Sequence, residues 1–206
     1  MPPFNFNPFK EKPVPATGWE QYYKETKNSS PRALLIEAVQ HVIQRGSALD
    51  IGAGALNESK YLLQNNFEVV TAVDSSPSSL ELAKNVNDNR FTFSNTSIED
   101  FEFHPESLDL INAQLSLPLL SKENFRKVWG EIFSSLKKGG IFSGQLFGER
   151  DQWGNDQTMN FHTKDEVTEL ISGFEVIQNE ELEKDENTAA GNMKHWHIFN
   201  LILKKS

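Results

Sequence analysis

Apolar residues recur along this chain at two spacings, and each change of spacing marks an element. Leu34, Leu35, Ala38, Val39, Val42 and Ile43 return every three or four positions, on one face of a helix opened by Ser30-Pro31 and closed by Gly46. The run Ala48 to Ile51 then has the length and apolar density of a buried strand. A helix is expected from Glu58 to Gln64, a strand from Glu68 to Val73, and a helix from Ser76-Pro77 to about Val86. Short strands at Arg90 to Phe93 and Leu108 to Ala113 precede a helix capped by Ser121, which carries Phe125, Val128, Trp129, Ile132, Phe133 and Leu136. Ile141 to Phe147 reads as the fifth strand. Thr163 with Glu166 has the spacing of a capping box, so a helix through about Ser172 follows. Phe174 to Leu182 and Trp196 to Leu203 read as two last strands, joined by a polar turn around Lys184 to Gly191, with Asp185 to Asn192 a solvated loop. Strands and helices alternating at these intervals predict an α/β fold: a doubly wound, mainly parallel sheet of seven strands, helices on both faces, and a carboxy-terminal antiparallel hairpin.

Composition narrows the picture. A chain of 206 residues suits one α/β domain, expected over residues 16–206. Residues 1–15 hold Pro2, Pro3, Pro8, Pro13 and Pro15 with Phe4, Phe6 and Phe9, and read as a partly ordered arm, because proline at that density forbids a helix. Lys and Arg total 20 against 29 Asp and Glu, so a net charge of −9 repels a polyanion and argues against nucleic acid as partner. Cysteine is absent, which removes thiolate metal sites and any cysteine nucleophile. No secretion signal or membrane-length apolar run stands out, so a cytoplasmic protein without a membrane partner is expected.

The candidate chemistry centres on Asp50-Ile51-Gly52-Ala53-Gly54, where the first strand runs into a glycine turn. Glycine enters the left-handed region freely and lets backbone approach a ligand that a Cβ would block. Asp74 ends the second strand, where a carboxylate can accept hydrogen bonds from both hydroxyls of a ribose; capping the following helix is the plainer role for the same acid. A dinucleotide fingerprint wants glycine at the sixth position from Gly52, and Asn57 stands there.

Asp50 two residues before Gly52, the Leu108-Asp109-Leu110-Ile111-Asn112-Ala113 strand and the Leu136-Lys137-Lys138-Gly139-Gly140-Ile141-Phe142 turn occur in the order seen in class I S-adenosylmethionine-dependent methyltransferases. The chain resembles that family from Trp19 to Lys205, with Lys138 where a proline is usual. The resemblance implies a Rossmann-like fold and S-adenosyl-L-methionine as cofactor, with Asp50 steadying the turn and the cofactor's ammonium group. It implies that Gly52, Ala53, Gly54, Asp74 and Ser75 line the cofactor site, and that Ser97-Ile98-Glu99 faces adenine, although Ser97 replaces the usual acid. Trp19-Glu20-Gln21-Tyr22-Tyr23 resembles an aromatic lid, where a ring attracts the sulfonium, and Arg32 could pair with the cofactor carboxylate. Core packing for Tyr23 and a solvated position for Arg32 are the competing roles.

Asn112-Ala113-Gln114-Leu115 lacks the Asn-Pro-Pro-aromatic tetrad of amino-group nucleic-acid methylases, which again points to a small-molecule methyl acceptor. Asn112 and Gln114 would meet the cofactor's amino-acid end; Gln114 could equally touch substrate or be an ordinary loop residue. The glycine turn with Asp74-Ser75-Ser76-Pro77 and the segment Lys194-His195-Trp196-His197 are most similar to bacterial tellurite-resistance and thiopurine-type methyltransferases, which makes tellurite one acceptor implied by resemblance. An alcohol or amine acceptor would need a general base, with His162 or His195 the candidates. His195 and His197 share one strand face, a spacing that suits a metal, yet no third ligand accompanies them, so no metal is expected. The long loop from Gly148 to His162 reads as functional. A nicotinamide-dependent oxidoreductase and a non-catalytic S-adenosylmethionine-binding module are the alternatives.

Overall fold

In the computed structural model, which describes residues 22–188 and 191–206, helices flank one eight-stranded sheet. The strands are β1 (Ser47–Ile51), β2 (Val69–Val73), β3 (Phe91–Ser94), β4 (Leu108–Ala113), β5 (Leu136–Gly148), β6 (Phe161–His162), β7 (Phe174–Asn187) and β8 (Met193–Lys205). The helices are α1 (Ala33–Gln40), α2 (Asn57–Gln64), α3 (Pro77–Ala83), α4 (Lys122–Ser135) and α5 (Lys164–Leu170). The sheet order is β3-β2-β1-β4-β5-β8-β7, with β6 paired to β5 off that path. Pairings are parallel from β3 to β6 and antiparallel for β5·β8 and β7·β8. The expected seven strands are therefore present, and the two-residue β6 is an addition. The expected arm at residues 1–15, with Trp19, Glu20 and Gln21, lies outside the described residues.

Alternate residues of each strand face opposite layers. Leu49, Ile51, Ile111, Phe142, Leu146, Phe199 and Leu201 meet the apolar stripe of α4 (Phe125, Val128, Trp129, Ile132) and Val167 of α5. Ala48, Leu110, Ile141 and Ile202 meet Leu35, Ala38 and Val39 of α1 and Leu62 and Leu63 of α2. On this second face the character changes toward the carboxyl ends of the strands. Two residues beyond Ala48 comes Asp50; two beyond Leu110 comes Asn112; Ile141 is followed at that spacing by Ser143 and Gln145, and Asn200 precedes Ile202. These residues form a polar row, buried except at the half-buried Asn200, and the cleft opens over it.

Several helix starts follow their local signals. Ser121 Oγ accepts from Asn124 N at 3.2 Å, Ser76 Oγ from Ser78 N at 3.2 Å, and Thr163 and Glu166 exchange both bonds of the capping box. The first helix departs from expectation. Arg32, not Ser30, occupies its cap position, because the Arg32 N–H is committed to Glu58 Oε1 at 3.3 Å. The helix ends at Gln40 rather than near Gly46, through tight bonds from His41 N to Ala38 O and Val42 N to Val39 O; Val42 stays buried while Ile43 is 87% exposed. The helix after Ser76 stops at Ala83, short of Val86. The expected turn from Lys184 also needs correction: residues through Asn187 pair with β8 as far as Met193, so the ribbon is longer and the loop shorter.

Candidate functional site

After β1 the chain turns through Gly52 (φ 67°) and Gly54 (φ 49°), both in the left-handed region. Gly52 N and Ala53 N donate to Val73 O at 2.8 and 3.1 Å, which fastens the turn to the end of β2. A Cβ on Gly52 would stand 2.5 Å from Ser116 Cβ, and one on Gly54 would stand 3.0 Å from the Tyr23 ring. Glycine is thus required twice over, by backbone conformation and by close neighbours. Leu56 adopts φ 64° at the head of α2 without being glycine, held there by complete burial.

Asp74 follows β2 directly and is 8% exposed. Its Oδ2 accepts from Gly54 N at 2.9 Å and from the Tyr23 hydroxyl at 3.4 Å, and its Oδ1 accepts from Ser76 N at 2.8 Å. Burial pushes the carboxyl pKa up while these bonds oppose the rise. Asp74 therefore ties the turn, the start of α3 and the amino-terminal segment together. A carboxylate offers roughly four lone-pair positions, so acceptor capacity remains toward the cleft. Asp50 lies beneath the turn, accepting from Ser59 Oγ and from Asn112 Nδ2 at 2.8 Å. Its pKa is pushed upward by burial first and the Glu58 charge second, against those two bonds.

The segment before α1 passes over the turn. Residues 22–26 are helical. Arg32 Nη2 donates to the Tyr22 hydroxyl at 3.4 Å, and burial with the Asp74 charge raises the Tyr23 phenol well above its ordinary value. Asn57, which occupies the sixth position of the glycine motif, donates from Nδ2 to Thr26 O at 2.8 Å. A side-chain amide there fixes the covering segment, a service glycine could not perform.

All twelve residues expected near a cofactor line one cleft of about 930 Å³: Tyr23 and Arg32 from the covering segment, Asp50, Gly52, Ala53 and Gly54 at β1, Asp74 and Ser75 at β2, Ser97 and Ile98 after β3, and Asn112 and Gln114 at β4. Ser97 Oγ donates to Asp100 Oδ2 at 2.8 Å, and Glu99 accepts from Asn124 Nδ2 at 3.0 Å. The two histidines expected as bases are elsewhere. His162 is buried against Phe125, ring centroids 4.8 Å apart, and burial pulls its pKa down to about 4. His195 sits between Asp185 and Glu183, at 2.9 and 3.1 Å, and those carboxylates raise its pKa. Neither lines the cleft. His197 accepts from Arg150 N through Nδ1 at 3.1 Å, and its Nε2 lies 3.0 Å from Glu181 Oε1 and 3.1 Å from Arg150 Nη2. Among the described residues no group of three or more potential ligands could hold a metal, and no helix is long and apolar enough to cross a membrane.

Strand parity explains the reversal. On β8 the odd positions His195 and His197 face acidic side chains of β7, whereas Trp196 and Ile198 face the cleft. With Lys184, Glu186, Asn187 and Thr188 from β7 and beyond, and Gln145 from β5, they form a wall that the sequence reading did not assemble. The wall is anchored by Lys194, whose Nζ is 2.5 Å from Asp151 Oδ2, 3.8 Å from the Trp196 ring centroid and 3.9 Å from that of Trp153. Desolvation lowers the pKa of this lysine and Asp151 counters it. The long loop after β5 thus serves the cleft indirectly, by delivering Asp151 and Trp153 to the ribbon.

Residues 48–140 match the family model described as a methyltransferase domain. Curated proteins give no significant match to the sequence. Solved structures share the fold. TehB from Haemophilus influenzae superposes with a TM-score of 0.72 at 16% identity, covering 91% of this chain and 67% of its own. Burkholderia thailandensis 1,6-didemethyltoxoflavin-N1-methyltransferase, solved with 1,6-didemethyltoxoflavin and S-adenosylhomocysteine, gives 0.66 at 19% identity over 93% and 87% of the two chains. The [4+2]-cyclase SpnF gives 0.63 at 17% identity over 84% and 79%. Residues 48–140 are thus similar to a methyltransferase domain, and the chain shares the fold of those structures.

Proposed function

We propose that this chain takes S-adenosylmethionine as methyl donor and transfers the methyl group to a small molecule. The observation that carries the reading is the junction of Gly54 with Asp74, 2.9 Å from N to Oδ2, at the floor of a nucleoside-sized cleft. The residues fit the donor. Gly52 and Gly54 carry the tight left-handed turn that borders the cleft, Asp74 retains acceptor capacity for ribose hydroxyls, and among the described residues the basic ones lining the cleft are Arg32 and Lys184. The third glycine of a dinucleotide-binding turn is replaced by Asn57, whose amide is committed to Thr26 O, and this disfavours a nicotinamide cofactor.

In this reading Asp74 and Ser75 hold the ribose, and Ser97 and Ile98 border the adenine. Asp50 and Asn112 steady the turn beside the ammonium group, while Tyr23 and Arg32 cover the amino-acid end. When bound, the donor would supply a methyl group on positively charged sulfur, the carbon–sulfur bond breaking as the acceptor's lone pair bonds to that carbon, with S-adenosylhomocysteine as leaving group and any acceptor proton released to solvent when the product departs. The chain's residues align the acceptor and exclude water. Neither His162 nor His195 reaches the cleft, so the reading uses no histidine base. The Burkholderia neighbour, solved with S-adenosylhomocysteine and a small molecule, supports both halves of the proposal.

Calorimetric titration of the full chain with S-adenosylhomocysteine and with NADH tests it. Binding of the first and silence toward the second is expected, and the opposite pair of results would overturn the proposal. Asp74→Asn should weaken S-adenosylhomocysteine about a hundredfold, from two charge-assisted hydrogen bonds of roughly 1.5 kcal/mol each; unchanged affinity removes Asp74 from the ribose site. Because a cyclase shares the fold, turnover is measured separately, as release of S-adenosylhomocysteine in the presence of acceptors.

A further inference from the structure

The polar row beneath the cleft contains two amide relays whose direction is set at one end. Glu180 Oε2 accepts from Asn200 Nδ2 at 2.9 Å, which obliges Asn200 Oδ1 to accept from Gln145 Nε2 at 2.8 Å. Gln145 therefore presents its carbonyl oxygen at the far end. Asp50 Oδ1 accepts from Asn112 Nδ2, Asn112 Oδ1 from Gln114 Nε2, each at 2.8 Å, and Gln114 likewise ends on an oxygen. Both Gln145 Oε1 and Gln114 Oε1 are buried without a hydrogen-bond partner, and both residues line the cleft. Buried acceptors are rarely left unmet, and each that is asks for an explanation. The register Asn112↔Ser143 and Ala113↔Gly144 brings Gln114 beside Gln145, on strands about 4.8 Å apart. The oxygens lie just below the cleft surface, and a terminal amide torsion is broad, so a small rotation offers each to a donor above it.

Two further features restrict what that donor belongs to. Trp196 stands on the same face of β8 as Asn200, with its indole N–H committed to Glu186 O at 3.2 Å and its ring held by Lys194, so it offers the cleft an apolar aromatic surface. Among the described residues at the cleft, the carboxylates Asp50, Glu58, Asp74, Glu99 and Glu186 outnumber the basic Arg32 and Lys184, and Lys184 is already paired to Glu186 at 2.6 Å. That field opposes an oxyanion such as tellurite.

We propose that the acceptor end of the cleft recognises a flat, uncharged nitrogen heterocycle, packed against Trp196 and donating ring N–H groups to Gln145 and Gln114. This rests on the methyl-transfer reading and deepens it: it moves Gln114 from the donor's amino-acid end to the acceptor, and it makes Gln145 a specificity-determining residue.

Quinazoline-2,4-dione, which has two ring N–H groups, and its 1,3-dimethyl derivative, which has none, are titrated into the full chain saturated with S-adenosylhomocysteine, with tryptophan fluorescence as readout. Sodium selenite serves as the oxyanion. The dione is expected to bind at least tenfold more tightly than the dimethyl compound, and selenite not at all. Gln145→Leu should remove that preference while S-adenosylhomocysteine affinity stays within twofold. Equal binding of the two diones by the wild-type chain, binding of neither, or tighter binding of selenite overturns the proposal without needing any variant. Failure of S-adenosylhomocysteine to bind would instead strike the donor assignment, so the two readings fail separately.

Discussion

Replacing Lys194 with methionine tests whether the wall of the cleft is held by one buried charge pair. The Lys194 and Asp151 side chains are 2% and 0% exposed, so neither charge is relieved by water when its partner is lost. Removing one member of such a pair costs about 3–5 kcal/mol, and two ring contacts at 3.8 and 3.9 Å add to the loss. Two effects work the other way. Asp151 still accepts from Trp153 N at 3.0 Å and His197 N at 3.2 Å, and methionine packs well among aromatic rings. The net expectation is a destabilisation of about 3 kcal/mol for Lys194→Met, the lower end of the range. Asp151→Asn combined with Lys194→Met removes both charges and should cost clearly less than the sum of the single changes, because the penalty lies in the unpaired ion. Urea denaturation followed by far-UV circular dichroism and tryptophan fluorescence measures all four proteins. A Lys194→Met loss below about 0.5 kcal/mol, or strict additivity in the double-mutant cycle, refutes the reasoning.

Gly52→Ala should lower S-adenosylhomocysteine affinity at least tenfold and stability by more than the roughly 1–2 kcal/mol of a left-handed alanine, since its Cβ meets Ser116 Cβ at 2.5 Å. Gly139→Ala is the control, with φ +80° and open space around it; equal losses at the two sites would show that crowding plays no part. His162 gives a pH signature: its folded-state pKa of about 4 lies below the ordinary 6.5, so its contribution is fully present above pH 6.5 and is lost as pH falls through 6.5 toward 4. The difference in unfolding free energy between wild type and His162→Leu should shrink by up to about 3 kcal/mol over that window, and a constant difference contradicts the burial argument. The comparison with the variant matters because burial raises Asp50 and Asp74 instead, and raised carboxyls favour the folded state as pH falls.

Local signals with one physical meaning were legible in the sequence. Gly52, Gly54 and Asp74 announced the turn and the acid, and Ser121, Ser76-Pro77 and Thr163 with Glu166 announced helix starts that the structure keeps. Signals that depend on what lies across the fold were not. Ser30-Pro31 lost its helix start to a bond between Arg32 and Glu58, residues distant in sequence. His195 and His197 attracted attention by residue type, but only pairing with β7 decides which face of β8 meets the cleft, and Trp196 has that face. Lys184 to Asn187 looked like a turn because charged residues are poor strand formers. In a two-stranded ribbon exposed to water that penalty is small, and cross-strand partners hold the register. The unmet oxygens of Gln114 and Gln145 had no sequence signal at all, since an orphaned acceptor is a property of a network.

The length of the β7–β8 ribbon divides the chain's labour in a way that bears on how such proteins diversify. The cradle proposed for the donor is complete by Ser116, whereas the surface proposed to choose the acceptor arrives only with Gln145 and the ribbon. A graft of the ribbon from one relative onto another, carried with the loop that supplies Asp151 and Trp153, should transplant selectivity and leave the nucleoside half untouched. Chemical novelty would then accumulate at one edge of an unchanged scaffold.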